Sequence, residues 1–309
     1  MKSLRHLAEA AFIYILIAFF SLLPPPAASA IGGFLGRMIG PRLAASRKAA
    51  RHIHKIWPDC PPARRDQIIK GMWDNLGRTF AEYPHLEEIA RNRCDIMGAE
   101  IVHQAHKTHG NILLFSGHIG NWEICPAKYY VTINTPVHLV YRAPNNPHLE
   151  NLLQKMRSLH GKLLTIRKSR SGAKAIVMAA RNKESLAILI DQKYNEGIPV
   201  PFLGWMAMTS TSPIANAQRY NMPIIPMRCI RLPNCRFRLE VLPPIPAFNA
   251  DGSKREEAEV MRSMNDLLGQ WIAEHPESWI WQHRRWSSKK VADMPRVCAA
   301  PPLSRALPN

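Results

Sequence analysis

The sequence predicts an α/β fold, with a mostly parallel central sheet flanked by helices and preceded by an N-terminal membrane-anchor helix. Three observations carry that reading. Short, uninterrupted apolar runs recur after Asn111, amphipathic stretches separate them, and a longer apolar segment with basic flanks stands at the start. Strands that are apolar throughout suit a sheet covered on both faces, and their alternation with helices is the pattern of parallel α/β domains.

In chain order, Ala10 to Leu23 is an unbroken apolar run behind Lys2 and Arg5, ended by Pro24, Pro25 and Pro26. Such a helix nearly crosses a hydrocarbon layer. A cleaved signal peptide is the rival reading, since Ala28-Ser29-Ala30 is a plausible processing site. Against it, Arg37, Arg42, Arg47, Lys48, Arg51 and Lys55 outnumber the upstream charges. The positive-inside bias then keeps the rest of the chain in the cytoplasm. IGGFLGRMIG, residues 31–40, extends the membrane contact beyond the prolines. The expected attachment to the membrane is single-pass or peripheral, with the bulk of the chain facing the cytoplasm.

Ile68, Met72, Trp73, Leu76 and Phe80 recur at helical spacing and predict a core-facing helix over 61–83. Strands are expected at 111–116, 137–142, 186–190 and 223–230, and helices at 147–160, 171–183 and 212–220. CRFRLEVL, residues 235–242, alternates after the turn Pro233-Asn234 and reads as an antiparallel addition, and 254–275 as a long amphipathic helix. The organisation is thus an anchor (1–30), a basic helical lead-in (31–100), an α/β domain (101–290) and a Pro-rich, flexible tail (291–309).

The 309 residues are 46% hydrophobic and carry a net charge of +18. The composition is that of a folded chain, and the charge favours anionic lipid, an acidic carrier protein or nucleic acid. No helix-turn-helix, zinc or aromatic RNA-binding signature accompanies it, so no nucleic-acid partner is expected. Six cysteines show neither CxxC pairing nor clustering with histidine, and read as reduced thiols.

FSGHIGNWE, residues 115–123, holds the chemistry. It follows a strand and contains Gly117 and Gly120, so His118 is placed on the turn at the strand's C-terminal end, where open α/β sheets bind ligands. Glu123 falls in the first turn of the next helix. A histidine can deprotonate a hydroxyl, and a carboxylate can fix its tautomer. Five residues apart, the two meet only if His118 precedes the helix, which the glycines permit. Taken singly, His118 could be a loop histidine and Glu123 a carboxylate favoured by the helix dipole.

The block resembles the HX4E motif of bacterial lipid A late acyltransferases, within the glycerolipid acyltransferase superfamily. Further segments resemble that family in order: VYRAPNNPHLENLLQKMR, LAILIDQKY, VPFLGWMAMTSTSPIANA and PESWIWQHRRW, covering residues 10 to 290. The resemblance implies transfer of an acyl chain from acyl carrier protein or acyl-CoA to a hydroxyl of a lipid A precursor. It implies His118 as general base and Glu123 as its partner. Arg157, Asp191, Arg142, Gln192 and Asn121 are implied as substrate-binding. No metal or cofactor is expected. An acyltransferase acting on a glycerophospholipid or another glycolipid is the alternative. Singly, Arg157 could be a surface arginine and Asp191 a cap. Arg167, Lys168, Arg170 and Lys174 could meet phosphates or remain a solvated face. Arg284 and Arg285, between Trp281 and Trp286, are expected near lipid headgroups or packed on the sheet.

Overall fold

The computed structural model describes residues 2–144, 146–157, 159 and 163–304. Helix α1, Lys2–Ser21, stops short of the three prolines, and α2, Pro25–Ile39, begins on one, where a missing N–H costs nothing. Helices α3, Ala44–Ile56, and α4, Pro62–Glu82, follow. α2 lies closely against α4 because glycines face each other: a Cβ on Gly32 would stand 2.4 Å from the Gly77 carbonyl oxygen, and one on Gly77 2.1 Å from that of Gly32. Among the described residues, no helix is long and apolar enough to cross a membrane. The expected anchor segment forms two helices, α1 and α2, that meet at the prolines. Phe20 and Ala28 are buried, while Phe12, Ile15, Phe19, Phe34, Met38 and Ile39 are exposed.

After α5, Leu86–Asn92, come β1, Cys94–Met97, and α6, Ala99–His109. Strand β2, Leu113–Ser116, leads into α7, Ile124–Ile133; β3 is Val137–Tyr141 and α8 Pro147–Arg157. Then follow β4, Leu163–Arg167, α9, Arg170–Arg181, and β5, Ser185–Leu189. Strands β6, Ile198–Phe202, and β7, Trp205–Thr209, make a separate antiparallel hairpin. Helix α10, Ser212–Arg219, precedes β8, Ile224–Leu232, and β9, Arg236–Val241, and α11 is Glu257–Glu274.

Seven strands form one sheet in the order β1-β9-β8-β2-β5-β3-β4. The five from β8 to β4 run parallel, whereas β9 pairs antiparallel with β8 and carries β1 parallel to itself. The continuous apolar character of β2 has a direct cause. Leu113 and Phe115 enter the core shared with α4 and α11, while Leu114 faces the opposite core with α7.

The expected strands at 111–116, 137–142, 186–190, 223–230 and 235–242 all form, with ends shifted by one or two residues. β1, β4 and the β6–β7 hairpin were not anticipated. The helix expected over 147–160 is seen to Arg157; its last residue lies outside the described ones. Where described, residues 291–304, the tail has neither helix nor strand but is tied down. Val297 N donates to Gly204 O at 2.9 Å, Ser304 N to Ala273 O at 3.0 Å, and Trp57 Nε1 to Pro301 O at 2.9 Å.

Candidate active site

The centre follows from strand register. β2 and β5 are parallel neighbours with Ser116 opposite Leu189. Continuing two residues along each strand sets His118 opposite Asp191. There His118 Nδ1 lies 2.8 Å from Asp191 Oδ1, and His118 N donates to Oδ2 at 2.8 Å. Trp279 Nε1 donates to the same Oδ2 at 2.7 Å. Asp191 is fully buried and ionised. Burial alone would push its carboxyl up, but the charge and hydrogen bonds of His118, with His283 nearby, hold it far below the carboxylate range. An ionised partner fixes the proton of a neutral ring on Nδ1, leaving Nε2 with the lone pair. Gln192 Nε2 lies 3.4 Å from that nitrogen.

Glu123 does not partner His118, contrary to expectation. Its carboxylate receives Arg157 Nε at 2.8 Å, Arg157 Nη2 at 2.5 Å, the Tyr83 hydroxyl at 2.7 Å and Trp122 Nε1 at 2.9 Å. Arg157 Nη2 also donates to the Tyr83 oxygen at 3.1 Å. Burial opposes the ionised form of Glu123, but Arg157 outweighs it and holds the carboxyl below its ordinary value. Burial and the Glu123 charge push the Tyr83 hydroxyl well up, so it stays a donor. The physical reason for the correction lies in the sheet: the neighbouring strand offers His118 a carboxylate in register, and α8 offers Glu123 a bidentate guanidinium. The two groups remain adjacent, since the Trp122 ring lies against His118 with centroids 5.0 Å apart.

The loop between β2 and α7 is held from both sides. Gly120 adopts φ +58°, and a Cβ there would stand 2.1 Å from the Cys229 carbonyl oxygen, so the turn admits only glycine. Asn75 of α4 donates to Gly120 O at 2.9 Å, and Gly120 N to Ser278 O at 3.1 Å. Asn121, expected as a substrate contact, is fully buried. It donates to Glu82 Oε2 at 2.7 Å and accepts from Glu123 N at 3.2 Å, which makes it a brace for the loop. Glu82 is ion-paired in turn with Arg231.

Of the other anticipated residues, Arg142 is exposed beside the site and Gln192 is half-buried within it. Arg157 spends the contacts above on Glu123 and Tyr83, and also lines an apolar cavity. Arg167 from the basic run pairs with Glu150. Arg284 is exposed, but Arg285 is fully buried. Its Nη1 donates to Met208 O and its Nη2 to Thr209 Oγ1, both at 2.7 Å, so it secures the β7 end rather than meeting headgroups. Sequence reasoning did not single out Tyr83, Trp279 or His283. The last two lie in PESWIWQHRRW, where attention fell on the flanking tryptophans and arginines. The His283 ring meets that of His118 edge-on, centroids 4.8 Å apart. His118, Asp191 and His283 each offer a ligand atom within 4.8 Å of the others, a set able to hold a metal ion.

Next to this centre an apolar cavity runs between the sheet and α7, lined by Leu114, Leu139, Val140, Ile188 and Met227. Trp122, Glu123 and Arg157 also line it, so it begins one side chain away from His118. Cys125 faces it as a buried thiol, pushed up by burial and therefore protonated.

Comparisons with known proteins point to one family. Residues 1–288 match the family described as bacterial lipid A biosynthesis acyltransferase. The lipid A biosynthesis palmitoleoyltransferase of Escherichia coli (strain K12) is 21% identical over 282 residues, covering 88% of each chain. The lipid A biosynthesis acyltransferase 2 of Shigella flexneri is 21% identical over 291 residues, covering 90% of each. A match spanning nearly the whole chain, over a fold that carries an imidazole–carboxylate pair beside an apolar cavity, places it: the chain belongs to the bacterial lipid A biosynthesis acyltransferases.

Proposed function

We propose that this enzyme transfers a fatty acyl chain from the thioester of acyl carrier protein or acyl-CoA to a hydroxyl of a lipid A precursor. His118 Nε2 takes the hydroxyl proton as the oxygen attacks the thioester carbonyl, and Asp191 stabilises the imidazolium that forms. The tetrahedral intermediate then collapses, and the imidazolium returns its proton to the departing carrier thiolate, with no acyl-enzyme; Cys125, which lines the cavity, is buried and protonated. The observation that carries this reading is the His118–Asp191 bond of 2.8 Å, made through Nδ1 so that Nε2 is the basic atom.

The apolar cavity between sheet and α7 suits the acyl chain. Glu123, Arg157 and Tyr83 fix the cavity's mouth relative to the base. An oxyanion needs donors, but the backbone N–H groups of Gly120, Glu123 and Ile124 are already bonded within the protein. The side-chain amide of Gln192, 3.4 Å from His118 Nε2, is the donor we assign to it. The exposed apolar residues of α1 and α2 support peripheral insertion into the inner-membrane surface. Arg42, exposed at the end of this helical pair, suits anionic headgroups, whereas Arg37 is paired with Asp74.

The test is a transfer assay with purified full-length protein in lipid–detergent micelles. Acyl carrier protein and CoA thioesters would be paired with a lipid A precursor and, separately, with a lysoglycerophospholipid. Acylation of the lipid A precursor alone supports the reading. Equal or preferential acylation of the glycerophospholipid contradicts the acceptor, and the absence of any transfer contradicts the reaction.

A further inference from the structure

His283 is not needed to orient the base, yet its ring lies edge-on to that of His118. Its Nε2 is sealed from solvent and has no hydrogen-bond partner among the described residues. A buried, unpaired ring nitrogen is costly unless something binds it in another state of the site. Asp191 adds an ionised oxygen and His118 a second imidazole, all within 4.8 Å of one another.

We propose that His118, Asp191 and His283 form an inhibitory site for a borderline divalent transition-metal ion such as zinc. Two imidazoles and one carboxylate are a donor set that zinc takes with a fourth position left for water. Metal–ligand bonds of ~2.0–2.2 Å in a tetrahedral site put ligand atoms ~3.3 Å apart. The longest separation here then has to close by no more than about 1.5 Å, within reach of side-chain rotation. Coordination consumes a lone pair of His118. Through Nε2 the ion takes the atom that receives the hydroxyl proton; through Nδ1 it drives the ring proton over to Nε2, which then has no lone pair to accept another. Either way the base is lost while the ion stays. The site itself stands on geometry alone, and only its inhibitory consequence rests on His118 as base.

Full-length protein is best assayed in a Cys60→Ser, Cys298→Ser background, which removes the two cysteines that are not buried. Transfer is measured against buffered free zinc, then after chelation. Reversible inhibition is expected, with the half-inhibiting zinc concentration raised at least ~10-fold by His283→Phe, the least expected for loss of a direct ligand. Equal zinc sensitivity in this variant, or no inhibition of the parent, overturns the proposal. Cobalt(II) spectra keep the test independent of turnover. The parent should give ligand-field bands of a four- or five-coordinate site that both His283→Phe and Asp191→Asn abolish. Identical spectra in all three proteins would refute the site whether or not acyl transfer is the reaction.

Discussion

Two carboxylates stand at the same end of the sheet, and their surroundings divide their roles. Asp191 is fully buried and spends its bonds on the His118 ring, the His118 backbone and Trp279. It orients a ring whose other nitrogen has, among the described residues, only the long 3.4 Å approach of Gln192 as a hydrogen-bond contact. Glu123 receives Arg157, Tyr83 and Trp122, and Arg157 also bonds the Tyr83 oxygen. The first cluster leaves an atom over for chemistry and the second does not. A carboxylate's work is set by what remains unsatisfied around it, not by its place in a motif.

The comparison breaks most readily at His118. Replacing it with alanine removes the base and should lower kcat by roughly 10²–10⁴. Asp191→Asn should fall toward the same floor, because an amide no longer enforces the Nδ1–H tautomer. Initial rates at saturating donor, with binding of the lipid measured separately, distinguish these losses from simple failure to bind. Near-normal kcat in either variant would undo the assignment.

Glu123→Ala should act first on the fold. It strands the Arg157 guanidinium, whose side chain is 16% exposed, and breaking a buried pair in this way costs about 3–5 kcal/mol. Denaturant titration reads this directly, and Glu123→Leu with Arg157→Met should recover much of it. A Glu123→Ala protein as stable as the parent would show that the cluster is not a structural clamp.

Acid sharpens the same contrast more gently. Asp191 and Glu123 are both held below their unfolded values, so each adds stability above about pH 4 that is lost as the pH falls further. Melting curves from neutral pH down to about pH 3 should steepen at the acid end, and less so in Asp191→Asn or Glu123→Gln. An unchanged slope in both variants would argue against either carboxyl being depressed. The smallest effect expected is that of Cys125→Ser. Transfer should persist within a few-fold, whereas complete loss would bring back a thiol intermediate.

Much of this architecture could be read from residue order. Apolar runs such as LLFS and LAIL announce strands because both faces are covered, and Gly117, Gly120 and the preceding strand placed His118 at the ligand-binding end. What could not be read was adjacency. Nothing local says that β5 lies beside β2, or that Ser116 stands opposite Leu189, and that register alone gives His118 its carboxylate. The five-residue spacing of His118 and Glu123 suggested a partnership that α8 pre-empts by supplying Arg157. Arg285 misled for a similar reason: its neighbours in sequence are interfacial in type, while its hydrogen bonds reach Met208 and Thr209, far back in the chain. The strands β1 and β4 escaped notice because CDIM and LLTIR are edge strands that mix polar with apolar residues.

The most direct measurement is a pair of double-mutant cycles on kcat, crossing His118→Ala with Asp191→Asn and with Glu123→Gln. If Asp191 acts through the ring, its substitution should cost nothing further once His118 is gone, while Glu123→Gln should cost as much as it does in the parent. The reverse pattern, with Glu123 silent and Asp191 additive in the His118→Ala background, would contradict the account.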